Sequence, residues 1–174
     1  MRSASAYFLK SPRLGFRLWS MTDLPLALAL WGDPEVTRLL GGPFSQEQVR
    51  EKLAREIENM RVHQVQYWPV FFLDDHAFAG CCGLRPYTIE KQIYELGFHF
   101  LPAHWGKGVA SEAAQAVISY AFDSLRLPGL FAGHYPGNVV SKRVLEKLGF
   151  RFTHEGIYPP TGQVDICYWL ERPR

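Results

Sequence analysis

The sequence predicts an α/β protein built on a mixed sheet with helices packed on it. Two observations carry that expectation. Residues 65–101 read as a run of three hairpin-linked strands, and the chain beyond them alternates helix with strand. Within the second part, Ala110, Ala113, Ala114, Val117, Ile118, Ala121, Phe122 and Leu125 recur at helical spacing without a miss.

The elements follow in order. Leu14 to Trp19 alternates apolar and other residues and predicts a strand. Thr22 or Asp23 can cap a short helix over Leu24 to Trp31, with Pro25 in its first turn. Gly41, Gly42 and Pro43 break the chain. Ser45 and Gln48 form a capping box before a helix that places Val49, Leu53, Ile57 and Met60 on one face. Strands are predicted at Val65–Leu73 and Ala77–Leu84, joined through Asp74, Asp75 and His76, and at Tyr94–Leu101. The long helix comes next. Pro128-Gly129 then leads into a strand, Leu130–Tyr135, and Asn138–Leu148 reads as a helix. Gly149 stands where a left-handed C-terminal cap is wanted, with Leu145 and Phe150 able to meet across it. Strands near Phe150–Tyr158 and Val164–Leu170 close the chain.

Composition narrows the class. The 174 residues suit a single domain over 1–174, long enough to bury roughly 70% of the unfolded surface. Hydrophobic residues make up 47% and charged residues 21%, values of an ordinary globular chain rather than a disordered or rod-like one. A net charge of +2 lacks the bias of a nucleic-acid binder. The longest apolar run has eight residues and contains Pro25, far below the roughly 20 needed to cross a membrane. Three cysteines, two of them the adjacent Cys81 and Cys82, make no disulfide framework and no Cys-x-x-Cys metal pair; they read as buried strand residues. No metal is expected, and a reducing, cytoplasmic location is.

Chemistry concentrates in two segments. Trp105-Gly106-Lys107-Gly108-Val109-Ala110-Ser111 joins a strand to the strongest helix. Glycines permit a tight turn, and the helix start turns unpaired N–H groups and partial positive charge outward, an arrangement suited to phosphate. The same glycines serve equally well in a purely structural turn. A P-loop ending is absent, and the dinucleotide pattern is met only as Gly106, Gly108 and Ser111, late in the chain. The second segment runs from Asn138 through Val139, Val140 and Ser141 to Leu148-Gly149-Phe150, with Asn138 as N-cap and Ser141 in the first turn.

Together, in this order and about 30 residues apart, the two segments resemble the GNAT family of acetyl-coenzyme A dependent N-acetyltransferases. Gly108 and Ala110 match that family's pyrophosphate loop, while Trp105 stands where Gln or Arg is usual. The Trp-Gly-Lys-Gly loop, Asn138-x-x-Ser141 with Val144-Leu-Glu-Lys-Leu-Gly-Phe150, Asp33-Pro-Glu-Val36 and Tyr94-Glu-Leu-Gly-Phe98 are similar to the branch containing the ribosomal-protein N-terminal acetyltransferases. The resemblance spans about Leu14 to Leu170.

It implies a mostly antiparallel sheet of six or seven strands, with helices on both faces. The fourth and fifth strands, Tyr94–Leu101 and Leu130–Tyr135, splay apart around the pantetheine arm of acetyl-CoA. Backbone groups of Phe98, His99 and Phe100 would bond that arm. Trp105, Gly106, Lys107, Gly108, Val109, Ala110 and Ser111 would hold the pyrophosphate, and Asn138 and Ser141 would lie against the cofactor. The implied reaction is acetyl transfer to a primary amine, either a protein N-terminus or a small-molecule amine. An amine must lose its proton before it attacks, so a base is needed. The candidates are Glu95, His99 on the same strand face, and His134, close to where other members carry a base. Many members use as acid a tyrosine seven residues after the asparagine; here Leu145 stands there, and Ser141 is the candidate instead. His76 and His104 read as loop residues. The acceptor site would be built from Leu24–Met60 and the closing strands, near Trp31, Tyr67, Trp68, Tyr158 and Trp169, most of which are expected to serve core packing. A homodimer remains open. Two other readings stand beside this one: a non-catalytic coenzyme A-binding sensor or partner module, and a nucleotide-dependent oxidoreductase built on the glycine loop.

Overall fold

The computed structural model describes residues 7–159 and 161–174. It contains one open sheet of eight strands in the order β1-β2-β3-β4-β5-β6-β8-β7. The strands are β1 (Leu9–Lys10), β2 (Leu14–Phe16), β3 (Tyr67–Phe72), β4 (Phe78–Thr88), β5 (Ile93–Phe100), β6 (Gly129–His134), β7 (Arg151–Tyr158) and β8 (Gln163–Glu171). The helices are α1 (Leu24–Trp31), α2 (Pro34–Thr37), α3 (Gln46–His63), α4 (Val109–Ser119) and α5 (Val139–Lys147). Every neighbouring pair of strands is antiparallel except β5 and β6.

Strand alternation splits the apolar residues between the two faces of the sheet. On one face Trp68, Cys82, Leu84 and Leu96 meet Ala113, Ala114 and Val117 of α4 and Leu145 of α5. On the other, Tyr67 and Cys81 meet Ala27, Leu30 and Trp31 of α1 and Val49 and Leu53 of α3. The three cysteines are free and buried.

Local chemistry explains the boundaries. Ser45 and Gln48 form the expected capping box of α3. Asn138 Oδ1 accepts the Ser141 N–H at 3.0 Å and caps α5. At the other end of α5, Gly149 adopts φ +91°. The N–H groups of Phe150 and Gly149 return to the carbonyls of Leu145 and Glu146, a complete Schellman closure with Leu145 and Phe150 both buried.

Four expectations need correction. The sheet has eight strands rather than six or seven, because the two-residue β1 pairs with β2 and is too short to show a period. The strand from Leu14 ends at Phe16, not Trp19. The Trp19 N–H and indole are captured by the Gln66 side chain and the Tyr67 carbonyl, which draws the chain off the ladder. Asp23 stands at the N-cap position of α1 as expected but makes no side-chain cap bond; its carboxylate accepts the Ser20 N–H and both terminal nitrogens of Arg17 instead. The long helix is α-helical only to Ser119 and finishes in a π-turn over Tyr120–Ser124.

Candidate active site

Strands β5 and β6 run parallel and pair only at Tyr94–Leu130 and Glu95–Phe131. Beyond Glu95 they diverge, and a cleft of about 660 Å³ opens between them, lined from both sides of the sheet. The Leu101 N–H bonds the Ala79 carbonyl of the β4 ladder. By alternation, the backbone groups of Phe98 and Phe100 therefore face the gap, while those of His99 turn into β4. His99 thus reaches the cleft with its side chain and not with its backbone, contrary to expectation.

The loop before α4 closes one end of the cleft. Gly106 and Gly108 hold φ near +71° and +73°, a conformation L side chains rarely adopt, and Gly108 is the N-cap of α4. Among the described residues, no acceptor bonds the N–H groups of Gly106 through Ser111; the next one, of Glu112, returns to the Gly108 carbonyl. Glu112 anchors this loop. It accepts from the Ser11 hydroxyl at 2.6 Å, the Arg13 N–H at 2.8 Å and Arg13 Nε at 2.6 Å, while Arg13 Nη2 holds the Lys107 carbonyl. Burial pushes the Glu112 carboxyl up, but the bonds from Ser11 and Arg13 outweigh it and hold the group below its ordinary value. The Lys107 ammonium caps the Ala103 carbonyl, and the half-exposed Trp105 donates its indole N–H to Phe100. Val109 is buried beneath the loop, and Ala110, Asn138 and Ser141 face the cleft.

The opposite face of β5 presents Glu95, Gly97 and His99 in a row, as alternation requires. The Tyr67 hydroxyl occupies the space that a Cβ on Gly97 would need. Beside Glu95 stands Arg85, its partner across the ladder. Arg85 donates through Nε and Nη2 to Glu56, a fully buried residue of α3, and its guanidinium stacks 3.8 Å from the Tyr67 ring centre. The other Glu56 oxygen accepts the Tyr67 N–H. Arg85 is therefore already neutralised. Among the described residues, no donor bonds the carboxyls of Glu95 or Asp165, and both line the cleft. Burial pushes the Glu95 carboxyl up to about 7; the Arg85 charge opposes that rise and Asp165 adds to it. Asp165 is raised too, chiefly by burial.

The histidines are differently placed. His99 Nδ1 accepts the Trp31 indole N–H at 3.2 Å, which puts the ring proton on Nε2. Burial, with Arg85 and Lys52 nearby, pulls His99 down to about 3. His134 is buried with Nδ1 2.7 Å from the Tyr135 carbonyl and Nε2 3.2 Å from the Tyr168 hydroxyl. Leu145, at the position of the family's usual tyrosine, is 2% exposed and packs in the core. Of the five aromatic residues flagged near the acceptor side, Trp31 and Trp68 are wholly buried, and Tyr67 and Tyr158 line the cleft.

Arg85, Glu56, Lys52 and Asp165 were not expected from the sequence. Glu56 carried a signal, a charge on the apolar face of α3 seven residues after Val49. Arg85 becomes visible only once the β4–β5 register sets it against Glu95.

This arrangement of a splayed sheet, a glycine loop and a capped helix defines a class. Residues 13–151 match the acetyltransferase (GNAT) domain family. The N-acetyltransferase p20 of Bacillus licheniformis is 30% identical over 145 residues, covering 82% of each chain. The structure of a GNAT-family acetyltransferase from Bacillus anthracis superposes with a TM-score of 0.81 at 26% identity, over 94% of this chain and 98% of that one. The RimL ribosomal L7/L12 α-N-protein acetyltransferase shares the fold with a TM-score of 0.82 at 15% identity, covering 98% of both chains. The chain belongs to the GNAT acetyltransferase family and is an acetyl-CoA-dependent acetyltransferase. The ribosomal-protein branch resembled in sequence is thus also met among its structural neighbours.

Proposed function

We propose that this chain, working as one domain over residues 1–174, transfers acetyl from acetyl-CoA to a primary amine, with Glu95 as general base. The observation that carries the proposal is a half-buried carboxyl without a donor, which burial pushes up to about 7, in the same cleft as six backbone N–H groups with no acceptor among the described residues. Those N–H groups, from Gly106 to Ser111, suit the pyrophosphate of coenzyme A. The backbone of Phe98 and Phe100 at the open edge of β5 suits the amides of pantetheine, which would lie as an added strand. When bound, acetyl-CoA supplies the acetyl thioester.

Glu95, charged above about pH 7, takes the proton from the acceptor ammonium. The freed amine would attack the acetyl carbon and the carbon–sulfur bond would break; the proton that the attacking nitrogen then sheds would pass to the leaving sulfur, directly or through the Ser141 hydroxyl, which would give its proton to sulfur and regain one from nitrogen. His99 is too weak a base for this step, because its Nδ1 is engaged by Trp31 and its ring stays neutral. Both nitrogens of His134 are already occupied. No described helix is long and apolar enough to cross a membrane.

The test is an initial-rate assay with acetyl-CoA and a panel of amines from pH 5 to 9. The proposal requires free coenzyme A release that depends on the amine and rises through a limb near pH 7. Cofactor binding without turnover on any amine would overturn it.

A further inference from the structure

One charged group in the cleft has no part in proton transfer or cofactor binding. Lys52 projects from α3 one turn before Glu56, so the two side chains share a helix face. It lines the cleft, with its ammonium 4.6 Å from the Phe44 ring centre and 5.7 Å from that of Trp31. Glu56, the carboxylate whose charge acts on it, is taken by Arg85 and the Tyr67 N–H. Among the described residues, no carboxylate forms an ion pair with Lys52. Contact with aromatic faces contributes only about 0.5–2 kcal/mol, too little to replace the hydration of an ammonium. Burial, together with the Arg85 and Arg55 charges, lowers Lys52 to about 8, so the group still carries its charge at neutral pH.

The unpaired charges in this part of the cleft therefore have opposite signs. Lys52 stands over the Trp31 ring whose indole bonds His99, whereas Glu95 and Asp165 line the cleft as carboxyls without a donor among the described residues. Glu95 and His99 are four residues apart on β5, a span of about 13 Å. A ligand lying along this row meets an acid at one end and an ammonium at the other. Resting on the acetyl-transfer reading above, we propose that the acceptor is a small amine that also carries a carboxylate or phosphate group, and that Lys52 binds this anion while Glu95 receives the amine proton. A simple hydrophobic amine or a polyamine would leave Lys52 without a counter-ion and place a second positive charge beside it.

Binding of reaction products separates this claim from turnover. N-acetyl-γ-aminobutyrate, N-acetyl-6-aminohexanoate, N-acetyl-8-aminooctanoate and N-acetyl-6-aminohexyl phosphate, whose nitrogen-to-anion reach grows toward the length of the row, would each be titrated calorimetrically, alongside the methyl ester of each acid and N-acetyl-6-aminohexanol. The titrations would use the wild type, Lys52→Met and Lys52→Arg, with and without saturating coenzyme A. At least one anionic product should bind about tenfold or more tightly than its neutral counterpart, the difference expected for one hydrogen bond to a charged group. That preference should disappear in Lys52→Met and return in part in Lys52→Arg, while coenzyme A affinity stays the same in all three. The carboxylate and phosphate members decide which anion the site takes. No anionic preference in the wild type, or one that survives in Lys52→Met, would overturn the proposal. Failure of the wild type to bind coenzyme A would instead overturn the acetyl-transfer reading, since the anion preference is read without coenzyme A as well.

Discussion

Replacing Glu95 with Gln should make the protein more stable and far less active. The carboxyl is raised from 4.5 to about 7, chiefly by burial. Between those values the folded chain holds a proton that the unfolded chain has lost. Stability therefore falls as pH rises from 4.5 to 7 and levels off above. At about 1.4 kcal/mol per pKa unit, the ionised group costs the fold about 3 kcal/mol at pH 8. Gln has the same shape and cannot ionise. The Glu95→Gln variant should unfold only about 2–3 °C above the wild type at pH 5, where little of the penalty has accrued, and roughly 6–12 °C higher at pH 8, given roughly 2–4 °C per kcal/mol in a domain of this size. Its turnover should drop by about 10²–10⁴, and the limb near pH 7 should vanish with it. Thermal unfolding of the ligand-free protein and initial rates, both from pH 5 to 8, provide the readouts. Parallel unfolding curves across that range, or a pH limb that persists in the variant, would refute the reasoning.

Four further outcomes follow from the same geometry. His99→Gln should keep the rate limb near pH 7, since that ring stays neutral; loss of the limb in a pH–rate profile would move the base to His99. Ser141→Ala should lower kcat while leaving acetyl-CoA affinity within about twofold, as a loss confined to the transition state requires; equal turnover would remove Ser141 as the acid. Glu112→Ala leaves Arg13 and Ser11 without their acceptor and should cost about 1–3 kcal/mol in urea unfolding. In the wild type that contribution is lost as pH falls below 4.5, because the Glu112 carboxyl is held below its ordinary value; the variant should lack this acid sensitivity. Gly108→Glu should sharply weaken acetyl-CoA binding in calorimetry, because it sets a negative side chain in a left-handed position beside the unpaired N–H groups.

Periodicity and capping chemistry made most of the fold legible. The capping box at Ser45, the N-cap at Asn138 and the Gly149 closure all rest on neighbours within a few residues, and each stands where local chemistry puts it. The early end of β2 and the side-chain partners of Asp23 depend instead on contacts with distant or competing groups, such as Gln66 and Arg17, which no local pattern reveals. The site divides in the same way. The glycine loop is a contiguous signal and could be read directly. The pairing of Glu56 with Arg85 joins residues 29 apart across a helix and a strand, and only their partnership leaves Glu95 and Lys52 without counter-ions. The backbone direction of His99 likewise follows from the β4 register and not from its position next to Phe98.

The central claim is that the loop from Gly106 to Ser111 holds acetyl-CoA for transfer. Calorimetric titration of acetyl-CoA into the wild type and Gly108→Glu, with NAD and ATP as controls, tests it most directly. The account predicts micromolar binding of acetyl-CoA alone to the wild type and its loss in a folded Gly108→Glu protein. No binding to the wild type, or equal binding to both, would contradict it.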